Sequence, residues 1–90
     1  MLYTISMSQE LRQRANQIWI QISSIQNPQS RMDLVRMYKS VETLLSEISR
    51  EEVECRRLHR ETNRLEELRA KTDERLLQIE QYITLAHLYG

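Results

Sequence analysis

Cys55 and His59 are the first pair worth testing for chemistry. Both side chains are metal-ligand types, and a separation of four residues places them on one face of a helix. Two ligands do not make a site, and no second Cys or His pair stands ready to complete it. The Glu-x-x-His spacing of di-iron bundles is absent, because the residues three before His59 and His87 are Arg56 and Thr84. His87 reads as a residue near a helix C-terminus, where a positive charge favours the dipole. Cys55 reads as a small apolar residue of a packed seam.

Nucleophilic and phosphate chemistry find no support either. The only glycine is Gly90, so no glycine-rich phosphate loop exists, and no nucleophile has a base and an orienting group supplied by a motif. The expectation is a non-enzymatic chain with no metal and no cofactor. A second chemistry is carried by Arg56, Arg57, Arg60 and Arg64, which could contact phosphates of a nucleic acid. Glu54 and Glu61 lie among them, and the plainer reading is a solvated helix face.

The elements that would position these residues are helical. The chain has 90 residues, 40% of them hydrophobic and 29% charged, with one Gly, one Pro and no Phe, a composition suited to an all-α fold. Thirteen basic residues balance thirteen acidic ones, so no overall field draws it to nucleic acid or an anionic membrane. One cysteine excludes an internal disulfide. No stretch reaches 18 consecutive apolar residues, and a cytoplasmic protein without membrane contact is expected.

Residues 1–7 are expected to form an N-terminal extension, with Met7 an alternative start and Ser6-x-x-Gln9 a possible capping box. Residues 8–90 form one helical domain. A first helix over about 8–26 places Leu11, Ala15, Ile18, Ile22 and Ile25 on one face, widened by Trp19 and Ile20. Its polar face is mostly glutamine and serine, which favours packing over membrane binding. Asn27-Pro28-Gln29-Ser30 forms a turn, because Pro28 removes a donor and Asn27 or Ser30 can cap the next helix.

From Arg31 to Tyr89 there is neither Gly nor Pro, and a heptad seam runs through without a slip. It comprises Leu34, Met37, Val41, Leu44, Ile48, Glu51, Cys55, Leu58, Thr62, Leu65, Arg69, Thr72, Leu76, Ile79, Ile83 and Ala86. The reading is a helical hairpin whose short first helix meets a long coiled-coil second helix over about 31–88. Ser49-x-x-Glu52 is the one place where a break is considered, and the undisturbed phase argues for continuity. At about 1.5 Å per residue the long helix would span roughly 85 to 90 Å and the first about 30 Å. The uncovered length requires a partner.

Glu51 and Arg69 interrupt the seam and would face their own copies in a parallel dimer. An antiparallel homodimer whose paired numbers sum to 120 sets Glu51 against Arg69 and Leu44 against Leu76. Tyr82, Leu85, Leu88 and Tyr89 could then pack with Trp19, Ile20 and Tyr3, and two dimers could assemble into a tetramer. The expected function is a scaffold, adaptor or regulator that binds a partner protein through helix contacts, with a small nucleic-acid-associated regulator as the alternative.

Overall fold

The computed structural model describes residues 5–89, with side chains from 8 to 88. Three helices follow one another: α1 (Ile5–Ser23), α2 (Pro28–Leu58) and α3 (Asn63–Tyr89). No strand occurs among the described residues. The all-α class stands, but the long second helix does not: it is two helices joined by residues 59–62. The N-terminal extension 1–7, the contacts suggested for Tyr3 and the packing of Tyr89 lie outside the described side chains.

Two local devices start the helices. Asn27 has extended backbone and its Oδ1 accepts from the N–H groups of Gln29 (2.9 Å) and Ser30 (3.2 Å), while Pro28 occupies the first turn, where no donor is lost. Thr62 does the same for α3, its Oγ1 accepting from Leu65 N at 3.2 Å. The break between α2 and α3 is a Schellman-type end, with His59 N–H bonded to Arg56 O and Arg60 N–H to Cys55 O. His59 sits at φ 57°, ψ 34°, the left-handed region in which glycine is the usual occupant. For a non-glycine residue that conformation costs on the order of 1 kcal/mol. The satisfied carbonyls and the interhelical packing hold it in place.

Hydrogen bonds fix the helix directions. Arg14 of α1 reaches Asp73 and Glu80 of α3, and Arg69 reaches back to Ser8, so α1 and α3 run parallel. Tyr38 Oη donates to Ala15 O, and Tyr82 Oη to Asp33, placing α2 antiparallel to both. The result is an up-down-up bundle measuring 48 × 18 × 17 Å, far shorter than a continuous rod of α2 and α3.

The core draws on the seam on both sides of the break. Leu34, Val41, Ile48 and Cys55 of α2 meet Leu65, Leu76, Ile79 and Ile83 of α3, all buried. Met37, Leu44 and Ala86 are half-buried at its margin, as are Glu51, Leu58 and Thr62. Two halves of one heptad pattern thus bury each other by folding at residues 59–62. From α1 come Leu11, Ala15, Ile18 and Ile22, with Ile25 in the following turn. Trp19 stays partly exposed and packs on Tyr38 with ring centroids 4.9 Å apart.

Candidate functional site

The end of the bundle near the α2–α3 turn concentrates the polar chemistry. α2 runs antiparallel to α1 and α3, so its last turns lie beside the start of both. At this level the core layer is charged, and Ser8, Glu52, Arg69 and Thr72 are all buried. Arg69 donates from Nε to Ser8 Oγ (3.0 Å) and from Nη1 to Glu61 (3.0 Å). Arg12 Nη2 donates to Glu52 Oε1 and to Ser49 Oγ, each at 2.9 Å. Thr62 Oγ1 donates to Glu51 at 2.6 Å, and the Cys55 thiol lies 3.7 Å from the same hydroxyl.

Within the chain, then, Glu51 and Arg69 do not face each other. Glu51 is held by Thr62, and Arg69 by Ser8 and Glu61. The α2–α3 register follows the contacts of Glu51 with Thr62, of Glu47 with Arg64 and of Asp33 with Tyr82. It lies about one heptad from the register expected for an antiparallel dimer, because residues 59–62 turn back along α2 and set Thr62 beside Glu51.

Burial alone would raise the pKa of Glu52, but hydrogen bonding from Arg12 and Ser8 and the charges of Arg12 and Arg69 outweigh it and hold the carboxyl below its ordinary value. Its Oε2 is buried, and no hydrogen bond of normal geometry reaches it among the described residues. Arg14 is raised first by its hydrogen bond to Glu80 and further by Asp73, against the opposing effect of burial. These are ion pairs that tie helices together.

Two depressions between the helices are open grooves. One, of about 560 Å³, lies between α2 and α3 away from α1, beside Leu44, Lys71 and Arg75. The other, of about 550 Å³, lies between α1 and α3 and is lined by Glu10, Glu61, Glu66, Arg69 and Asp73 among others. Among the described residues no three His, Cys, Asp or Glu side chains are grouped as a metal site. Cys55 is a buried free thiol and His59 is the left-handed residue ending α2. Among the described residues, too, no helix is long and apolar enough to cross a membrane.

Arg56, Arg57, Arg60 and Arg64 surround the turn. Arg57 pairs with Glu54, and Arg64 with Glu47 at 3.8 Å. Arg56 and Arg60 are exposed and make no ion pair among the described residues.

Leu85 and Leu88, which the sequence set against Trp19, Ile20 and Tyr3, stay exposed within the chain and join Leu77 in a further surface. Leu77, Leu85 and Leu88 of α3 are 48%, 54% and 69% exposed. At about 100° per residue they fall within roughly 80° of one another, and Gln81 and Thr84 fill the same face. No charged residue interrupts that strip, in a chain 29% charged. Its signal is the leucine content of α3 beyond what one seam uses. Ile20 of α1 is more exposed still, at 68%, but stands alone on its outer face.

What the fold and these surfaces define is a small three-helix bundle, tied by interhelical ion pairs, with an arginine-bordered turn at one end and an apolar strip on α3. In comparisons with protein families, curated proteins and solved structures, nothing matches this chain.

Proposed function

We propose that the chain is a non-enzymatic interaction module of the cytoplasm, a scaffold or adaptor, that receives an amphipathic helix of a partner protein on the outer face of α3. The observation that carries this reading is the uncharged strip of Leu77, Gln81, Thr84, Leu85 and Leu88. From Leu77 to Leu88 it runs about 16 Å, three helical turns, which suits the apolar stripe of one docked helix. The buried face of α3 is engaged with α1 and α2, and the rest of its outer face is mostly polar or charged, which makes this strip the apolar surface that α3 offers to another chain.

The test is affinity capture with the native sequence and with Leu77→Glu/Leu85→Glu/Leu88→Glu, with nuclease present. All three side chains are exposed, so the helical circular dichroism should be unchanged. Support is a protein recovered by the native chain, lost with the variant and cross-linked to α3 through an amphipathic helix of its own. Equal recovery by both would sink the reading.

The alternative, a nucleic-acid-associated regulator, is favoured by one observation: Arg56 and Arg60 stand exposed at the turn, beside Arg57 and Arg64, and make no ion pair among the described residues. Binding through them would weaken steeply with salt and vanish in a variant carrying Gln at all four positions.

A further inference from the structure

We propose that α3 can leave its own bundle and pack into that of a second copy, with residues 59–62 straightening so that α2 and α3 become one continuous helix. The partner is a second molecule of this chain, and the surface is the α2–α3 interface itself. This inference is independent of the strip on α3, which stays exposed in either form.

Three observations support it. First, the turn contains nothing that forbids a helix. His59, Arg60, Glu61 and Thr62 include neither Gly nor Pro, and the stretch from Arg31 to Tyr89 has none. Second, the one conformation that makes the turn is held by a residue poorly suited to it, His59 at φ 57°. Short, strained hinges favour exchange, because opening them removes a local cost while leaving the other contacts intact.

Third, the heptad phase of α2 continues into α3 without a shift. The seam residues Leu34, Val41, Ile48 and Cys55 and the later Leu76 and Ile83 are buried at the same heptad position on either side of the turn. In a straightened helix they would therefore line one face. Had the turn evolved only to join two independent helices, that phase would have no reason to persist.

The exchanged form recreates the existing packing. If the register set by Glu51 and Thr62 is kept, α2 of each copy meets α3 of the other with the same partners. The bonds of Arg14 to Asp73 and Glu80, and of Arg69 to Ser8, then run between copies. Cys55 and Leu58 approach their counterparts on the second copy around the two-fold axis. Leu58, half-buried at the turn of the closed chain, gains cover there. Apart from the bond of Arg69 to Glu61, which lies in the turn and opens with it, the contacts of the two forms are equivalent, so the turn decides between them, together with concentration.

The test compares dimer dissociation constants of the full chain by light scattering coupled to gel filtration. His59→Gly removes the left-handed penalty of the closed turn, about fivefold per hinge, and since two hinges open per dimer it should weaken dimerisation by at least about 25-fold. His59→Ala/Thr62→Ala withdraws the cap of α3 and favours the continuous helix, so it should strengthen dimerisation.

Exchange is told from simple association with Glu47→Cys/Arg64→Cys in a Cys55→Ser background, bridged by a short bis-maleimide. In the purified dimer the bridge should link two chains, and in the monomer it should close within one. A dimer bridged within each chain would overturn the proposal. So would a dissociation constant that His59→Gly leaves within threefold of the native value, or absence of any dimer for both the native chain and the alanine variant up to millimolar concentration. The glycine arm stands even if the alanine variant fails to fold by circular dichroism.

Discussion

Truncating Arg12 tests whether the charged layer holds the bundle together. Arg12 and Glu52 meet at 2.9 Å, and their side chains are 33% and 10% exposed. Breaking a fully buried pair by removing one partner costs about 3 to 5 kcal/mol, because the remaining charge is stranded. Two features reduce that figure here. Arg12 is a third exposed, and the charge of Arg69 stays close to Glu52. Arg12→Ala should therefore cost about 2 kcal/mol, a fall in Tm of roughly 10 °C for a domain of this size. Glu52→Met removes the stranded carboxylate and fills its place with apolar volume. Arg12 keeps its bond to Ser49 and access to water, so this change should lie within about 1 kcal/mol of the native stability. The double variant should resemble Glu52→Met and not the sum of the two. Urea unfolding followed by circular dichroism gives all three values. A loss below about 0.5 kcal/mol for Arg12→Ala, or additive losses in the double variant, would refute the argument that the cost lies in stranding Glu52.

Adjacent leucines separate the buried and outer faces of α3. Leu76 is fully buried and Leu77 is 48% exposed, so Leu76→Ala should cost about 2 to 5 kcal/mol while Leu77→Ala stays within about 0.5 kcal/mol, both by urea unfolding. Acid should weaken the fold through Glu52. Its carboxyl pKa in the folded chain lies below the ordinary 4.5, so its contribution is present above about pH 4.5 and is lost as pH falls through the folded value. Glu52→Gln should flatten that part of the stability profile below about pH 4.5, and an unchanged acid slope would show that other carboxylates set it.

Much of the packing was written in the heptad pattern. The seam residues that fill the core and the inward face of α1 follow from apolar spacing, and Asn27-Pro28 marks the first turn because its chemistry leaves few other uses. The second turn was harder to read. Its signal is Thr62-Asn63, two residues that favour helix starts, preceded by the polar run His59-Arg60-Glu61. Thr62 also occupies a seam position, where a small polar residue is tolerated, and the persistent phase hid its role as a cap. Neither glycine nor proline marks the stop, since His59 takes the left-handed place that glycine usually fills.

Tyr38, Leu45 and Glu52 carried a further clue. They stand seven residues apart beside the seam, and Tyr38 and Glu52 are buried because α1 covers that flank. A third column of this kind implies a third helix alongside the pair, and an isolated charge in it implies a partner brought by that helix, which is Arg12. The ion pairs of Arg12 and Arg14 could not have been read from α1 alone, because both arginines lie on its polar margins and their acids come from α2 and α3. Periodicity reports which faces must be covered but does not say whether the cover comes from the same chain or another. A hairpin and an exchanged pair bury the same seam with the same residues. Four residues at the turn, and above all the backbone of His59, determine which one forms.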